Sequence, residues 1–245
     1  MVAPGGAIYD TIGVDYAQLR RPDPRIAAAI LDGLGDARSV INVGAGAGSY
    51  EPTDRQVVAV EPSQVMIDQR PPGSARVLEG SADALPVPDD SADAALAILT
   101  VHHWPDRIAG LGEMRRVARD RVVILTFDPD VTWWLHDYFP QVAEIDAAHC
   151  PLSDFEAALG PLETRIVPIP HDCIDGFLGC WWRRPEMYLD ARIRAVISTF
   201  LKFDVTDGVE RLRQDLEDGT WRARYGHLLD AAEQDLGYRL LIAPV

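Results

Sequence analysis

Residues 40–50 read Val-Ile-Asn-Val-Gly-Ala-Gly-Ala-Gly-Ser-Tyr, an aliphatic run that passes without a break into glycines at alternate positions. Gly44, Gly46 and Gly48 each permit a positive φ or a close approach of backbone to ligand. The bland alternative is a tight strand-to-helix turn that holds nothing. Seventeen residues after Gly44, at the end of the next aliphatic run, stands Glu61, whose carboxylate can accept both hydroxyls of a ribose. Loop and carboxylate together describe a nucleoside-bearing ligand. A dinucleotide fingerprint wants its last glycine or alanine three residues after the second glycine, and that position is Ser49. A pyrophosphate is therefore disfavoured.

Working outward, aliphatic runs at Ser39 to Val43, Gln56 to Val60, Arg76 to Leu78, Ala94 to Thr100 and Val122 to Phe127 alternate with helical segments. The runs are nearly continuous in apolar residues, as expected of strands covered on both faces, so the fold class is α/β with a doubly wound sheet. Pro24 to Leu34 has helical spacing and stops at Gly35. Asp106 to Val117 spaces Ile108, Leu111, Met114 and Val117 on one apolar face, with Arg115, Arg116 and Arg119 directed outward. Beyond Phe127 the aromatics thicken. Runs Glu163 to Ile169 and Gly237 to Ala243 bracket a mostly helical stretch that includes Pro185 to Phe200 and Val205 to Leu216. The expected organisation is an N-terminal segment 1–24, a ligand-binding domain 25–169 with 237–245, and a helical insertion 170–236 forming a cap.

The chain has 245 residues and a formal charge of −15, with 47% apolar and 25% charged residues, which fits a globular protein with one large core and an elaboration. An acidic field repels phosphate backbones and anionic lipid, so nucleic acid and membrane are not expected partners. Lys202 is the only lysine, which excludes a Walker phosphate loop and disfavours Schiff-base chemistry. Cys150, Cys173 and Cys180 are odd in number and lack Cys-x-x-Cys spacing, so they read as buried thiols. With no leader-like or membrane-length apolar stretch in the sequence, a cytoplasmic location is expected.

The sequence resembles the class I S-adenosylmethionine-dependent methyltransferases, in particular the small-molecule group called type 11. The matching segments are the glycine loop at 40–50, Val-Ala-Val-Glu-Pro-Ser at 58–63, Gly-Ser-Ala-Asp-Ala-Leu-Pro at 80–86 and Asp-Asp-Ser-Ala-Asp-Ala-Ala at 89–95. They span about the first half of the chain. The resemblance implies a mostly parallel seven-stranded sheet and S-adenosylmethionine as cofactor. It places Gly44, Ala45, Gly46 and Gly48 along the methionine and ribose, Glu61 on the ribose hydroxyls, and Pro62, Ser63 and Met66 about the adenine. Asp83, with the backbone of Ala82, would read the exocyclic amine. Asn42 stands where the family usually carries an aspartate, keeping the shape and losing the charge.

The fourth run ends in Leu99-Thr100-Val101-His102-His103-Trp104. Carboxyl ends of strands open on the ligand crevice of a doubly wound sheet, so Leu99 and Thr100 are assigned to the cofactor and Trp104 to the acceptor. An imidazole at His102 or His103 could take the proton of a hydroxyl acceptor, and the sequence does not rank the two. Tyr9 and Tyr16, assigned to the substrate, belong to a segment that folds over the cofactor as a lid in the resembling family; the bland alternative is that both pack on the sheet edge. His171 and Asp172, among aromatics, are candidates for the far wall of the acceptor pocket. No metal is expected, because His102, His103, His171, Asp172 and Cys173 have no spacing that dictates convergence. Trp133, Trp134, Trp181 and Trp182 read as core of the cap more readily than as a substrate cage.

The leading expectation is methyl transfer to a small molecule by a bacterial enzyme, the Arg-for-Lys bias and abundant Ala suggesting a GC-rich genome. A protein of the same fold that uses the bound cofactor without turnover is the alternative, and a nicotinamide oxidoreductase the lesser one. Monomer and homodimer are both open.

Overall fold

The computed structural model describes residues 20–147 and 151–245; Tyr9, Tyr16 and Cys150 lie outside them. Helix α1 (Pro24–Leu34) matches its expected bounds, with Asp23 accepting from the Arg25 N–H as N-cap and Gly35 closing it at φ 52°. Strands β1 (Ser39–Val43), β2 (Gln56–Glu61), β3 (Arg76–Glu79), β4 (Ala92–Ile98) and β5 (Ala118–Phe127) follow, with α2 (Gln64–Asp68) after β2 and α3 (Arg107–Val117) between β4 and β5. Then come α4 (Leu135–Tyr138), α5 (Pro140–Ala147), α6 (Leu152–Leu159), β6 (Glu163–Ile166), β7 (Ile169–Pro170), α7 (Ala191–Ala195), α8 (Thr206–Glu217), α9 (Thr220–Tyr225), β8 (Glu233–Gln234) and β9 (Tyr238–Pro244).

Seven strands form one sheet in the order β3-β2-β1-β4-β5-β9-β6. β1 to β5 pair in parallel, and β9 runs antiparallel to both β5 and β6. Apolar strand residues alternate between two cores, as a sheet covered on both faces requires. Val40, Leu96, Val123, Leu125 and Leu240 face α1 and the aromatic elements. Ile41, Ala95, Ala97, Ile124 and Leu241 face α3 and α6, whose Leu111, Met114 and Phe155 are fully buried. Each such side chain contributes about 1.5–3 kcal/mol.

Three sequence expectations are corrected. Ile108 is exposed (54%), and the buried face of α3 instead begins at Gly110, where a Cβ would stand 2.5 Å from the Trp104 ring. The arginines do not simply point outward. Arg115 donates to the Leu159 carbonyl, Arg116 to the Leu85 and Val87 carbonyls and to Glu113, and Arg119, already in β5, pairs with Asp93. The run at 163–169 is not one strand, because Pro168 has no N–H to continue the ladder. Residues 169–170 pair with β8 in a separate two-stranded ribbon. Pro185 to Phe200 likewise breaks into two short turns flanking α7.

The aromatic segment after β5 and the insertion share a core with α1. Trp134 meets Trp221 edge to face at 5.4 Å and donates its Nε1–H to the Trp182 carbonyl, and the Tyr138 hydroxyl donates to Asp215. Cys173 and Cys180 are buried with their Sγ atoms 3.0 Å apart.

Asp93 clamps the starts of β1 and β4. It accepts from the Arg38 and Ser39 N–H groups and from Arg119, while its own N–H donates to Ser39 Oγ. The Arg119 guanidinium and the two N–H donors hold its carboxyl well below the usual carboxylate range. A depressed folded-state pKa gives stability that is present above the unfolded value of about 3.9 and lost as pH falls toward the folded one. Asp93→Asn is therefore expected to lower stability by about 1–2 kcal/mol at pH 7, with the difference from wild type shrinking below about pH 4. Urea melts of both proteins between pH 3 and 7 test this; a difference that grows toward acid would contradict it.

Candidate active site

At its carboxyl end β1 turns sharply. The Gly44 and Ala45 N–H groups both donate to the Val60 carbonyl at the end of β2 (2.8 and 3.1 Å), which folds the loop over the strand ends. Gly44 adopts φ 67°, and a Cβ there would lie 2.3 Å from Thr100 Oγ1. Gly46 adopts φ 52° with the Met66 methyl 3.2 Å from where its Cβ would be. Positive φ favours glycine at both positions, and at Gly44 space excludes any side chain as well. Across the crevice, Leu99 ends β4 in an unusual positive φ of 50°, pinned by its N–H donating to the Leu125 carbonyl at 2.8 Å. That strain of order 1–3 kcal/mol is held by the sheet.

These elements enclose a cavity of about 390 Å³. Its walls include Asn42, Gly44, Ala45, Gly46, Glu61, Pro62, Ser63, Met66, Ala82, Leu99 and Thr100, so most of the expected cofactor residues come together. Glu61 is buried, with Oε2 accepting from the Gly46 N–H (2.8 Å) and Oε1 from the Ser63 N–H (3.0 Å). Burial raises its pKa, while those two N–H groups and the Arg70 charge pull the other way. A carboxylate has about four lone-pair sites, so two accepted bonds leave capacity for ribose hydroxyls.

Two expected residues are not on this wall. Gly48 stands behind the loop, where a Cβ would meet Arg70 and Glu51 at 3.3 and 3.4 Å. Asp83 is exposed and lines no cavity, although its neighbours Ser81 and Ala82 do. Trp104, expected on the acceptor side, lines the larger cavity instead. Its Nε1 is buried without a hydrogen-bond partner among the described residues.

A second cavity of about 80 Å³ adjoins the first, with Arg20, Leu99 and His103 in the walls of both. His102 lines only the smaller one, its ring 3.9 Å from that of His103 and edge-on to Phe127. The remaining wall is largely aromatic and aliphatic, including Trp133, Phe177, Leu178, Ile197 and Tyr238. Asp146 also faces it, and burial, partly offset by the Lys202 charge, pushes its carboxyl up to about 6. Burial likewise lowers the pKa of His136, which accepts from the Trp133 N–H through Nδ1 and sets Nε2 4.0 Å from Asp146.

His171 and Asp172 line neither cavity. Asp172 is exposed and pairs with Arg25 at the start of α1; the residues of that loop that reach the smaller cavity are Phe177 and Leu178. Among the described residues no three His, Cys, Asp or Glu side chains gather as metal ligands. Arg20 and Asp146, which the sequence did not single out, carried no motif signal, since each reaches the site only through the fold.

A glycine loop open to close approach, a buried strand-end carboxylate with free acceptor capacity and a thioether on the same wall fit an adenosyl group bearing a methionine tail. The methyltransferase domain family matches residues 41–126. A protein of Anabaena variabilis, a candidate methyltransferase from an antibiotic biosynthesis pathway, is 35% identical, with 93% of this chain and 100% of that one aligned at a TM-score of 0.86. The chain belongs to the class I S-adenosylmethionine-dependent methyltransferases. Its cofactor is S-adenosylmethionine.

Two more distant structures share the fold alone. The Haemonchus contortus phosphoethanolamine N-methyltransferase 2, solved with S-adenosylhomocysteine, is 12% identical at a TM-score of 0.57, over all of this chain and 60% of that one. The [4+2]-cyclase SpnF is 15% identical at 0.54, over 99% and 97%. Among curated proteins none matches this methyltransferase-family chain in sequence.

Gly44→Ala puts a side chain at positive φ and against Thr100, and is expected to weaken S-adenosylhomocysteine binding by about tenfold or more. Adding Thr100→Ala removes the nearest atom and restores part of the loss. Titration calorimetry of both variants decides this; unchanged affinity in the single variant would place the ligand elsewhere.

Proposed function

We propose that the protein transfers a methyl group from S-adenosylmethionine to a small, largely apolar or aromatic acceptor. The observation that carries this reading is the meeting of the two cavities at Leu99 and His103. One has the loop, carboxylate and thioether wall suited to an adenosyl compound; the other is small, aromatic-walled and reached past the strained end of β4. When bound, S-adenosylmethionine supplies an electrophilic methyl on a positively charged sulfur.

The chain's own part is alignment and exclusion of water. In-line transfer needs the nucleophile held against the methyl, and an aromatic wall of Trp133, Phe177 and Tyr238 both orients a flat acceptor and keeps water out. His103, shared by the two cavities, is placed to accept a proton from an acceptor hydroxyl; His102, in the smaller cavity with its ring tilted against that of His103, is placed to position it. We further assign 170–236, with the aromatic segment after β5, as the acceptor wall. The likeness to a protein from an antibiotic biosynthesis pathway supports a secondary metabolite as the acceptor class.

Transfer of radiolabelled methyl from S-adenosylmethionine across a panel of phenolic and amine metabolites tests the reading. For a hydroxyl acceptor, His103→Gln is expected to lower kcat by about 100-fold or more and to abolish its rise with pH, with His102→Gln milder. Tight cofactor binding without methyl transfer to any acceptor, accompanied by rearrangement of an added substrate, would favour non-catalytic use of the cofactor. Tight binding of NADH in its place would favour the oxidoreductase.

A further inference from the structure

The smaller cavity sets a carboxylate among aromatic side chains. Asp146, in α5, stands in its wall and not in that of the larger cavity, with its side chain 15% exposed. Trp133, Phe177 and Tyr238 line the same hollow. Beside Asp146 and outside the cavity lies His136, its side chain 10% exposed, whose Nδ1 accepts from the Trp133 N–H at 3.0 Å. The proton of the neutral imidazole therefore sits on Nε2, which has no hydrogen-bond partner among the described residues and lies 4.0 Å from Asp146 Oδ2. One buried histidine thus ties the tryptophan and the carboxylate into a single wall.

The other charges in that wall are matched within the protein. Arg20 donates to the fully buried Asp175 at 2.7 Å, and Asp128 lies 3.7 Å from Arg239. His136 is no counter-ion to Asp146, because burial lowers its pKa and keeps it neutral, and burial pushes the Tyr238 hydroxyl far up, so that it is neutral too. The Lys202 charge reaches Asp146 without cancelling the effect of burial, and the carboxyl stays at about 6. At neutral pH the wall therefore presents an ionised carboxylate that is largely removed from water, which is costly unless a cation meets it. A carboxylate bordered by aromatic faces suits an alkylammonium, whose N–H groups donate to the oxygens while the rings attract its positive charge.

We infer that Asp146 binds a protonated amine on the acceptor, so that the acceptor class is an aromatic hydroxyl compound carrying an alkylammonium group. The assignment rests on the proposed transfer to a small aromatic acceptor and adds to it the residue that selects among such acceptors. An ammonium has no lone pair with which to attack a methyl group, so the group held by Asp146 is a handle. The nucleophile is the hydroxyl, at the end of the cavity formed by Leu99 and His103, which the larger cavity shares and Asp146 does not.

Titration calorimetry on the full chain saturated with S-adenosylhomocysteine tests this with three phenols of similar shape: tyramine, which is a cation, 4-ethylphenol, which is neutral, and 3-(4-hydroxyphenyl)propionate, which is an anion. At neutral pH wild type is expected to bind tyramine about 10–100-fold more tightly than 4-ethylphenol, and the anion most weakly. Asp146→Asn should cut the preference for tyramine to about threefold or less, with Asp146→Glu recovering part of it. Tyramine affinity should fall in wild type below the Asp146 value of about 6, as the carboxylate takes up a proton while the amine stays charged, and that fall should vanish in Asp146→Asn. His102 and His103, the histidines of the wall, are present in both proteins, so the difference between the two pH profiles belongs to Asp146. Equal wild-type affinity for tyramine and 4-ethylphenol, or a preference that survives in Asp146→Asn, would overturn the assignment while leaving the acceptor reading intact. So would tightest binding of the anion, which would give the cavity to Arg20. The order of the three probes in wild type decides the matter even where a variant does not fold. Labelled methyl from S-adenosylmethionine found on the tyramine nitrogen would overturn the role of the amine as a handle. Binding of none of the three would overturn the smaller cavity as an acceptor site and this assignment with it.

Discussion

The site depends on how closely two backbones approach where β1 and β4 end. The strands pair side by side through Asn42 and Leu96, and beyond that point the chain leaves β1 toward β2 and β4 toward α3 and β5. A crevice opens at such a switch point in any doubly wound sheet. Here its depth is set by Gly44, which passes so near Thr100 that no side chain fits between them. The wall of the larger cavity hangs from these two strand ends: the glycine loop and Glu61 lie on one side, and Leu99, His103 and Trp104 on the other.

Strain and buried charge are concentrated around that crevice. Leu99 and Tyr50 hold positive φ without being glycine, and Glu61 and Asp175 are carboxylates taken out of water. None of these favours the fold taken alone. They persist because two apolar cores, one on each sheet face, contribute far more than the local costs. The aromatic segment after β5 and the insertion take part in the same packing: Trp134, Tyr138 and Trp182 are continuous with the core that buries α1.

What the sequence made legible follows from which signals are local. Helix α1 is read to the residue because Asp23, Pro24 and Gly35 punctuate it, and the parallel strands are read because both faces are buried. The glycine loop and Glu61 are legible since each acts through its own backbone position. Ile108 misled because helical spacing says nothing about which neighbour arrives, and Trp104 takes the place over Gly110. His171 and Asp172 misled for a similar reason: polar residues among aromatics look like a pocket, whereas the fold leaves both off the two cavity walls, pairs Asp172 with Arg25 at the surface and sends Phe177 inward. Arg20 and Asp146 were illegible because nothing in their own neighbourhoods marks them. Only tertiary packing brings residues more than 100 positions apart to the same cavity, as with Arg20 and Asp146.

The exchange of the family's aspartate for Asn42 can now be given a physical sense. The Asn42 amide donates to Oε1 of Glu51 at 3.1 Å, so a carboxylate does stand at the end of β1, supplied from nine residues further on. Glu51 is paired with Arg70 at 2.6 Å, and both side chains are almost wholly buried. Arg70 also donates to the Gly46 carbonyl at 3.2 Å, on the back of the loop. An aspartate at position 42 would face Glu51 as a second buried anion against one arginine, whereas an amide donates to it. Gly48 is absent from the cavity wall for the same reason, since its missing side chain makes room for this ion pair. The substitution thus turns the end of β1 from a charge directed at the ligand into a neutral buttress beneath the loop.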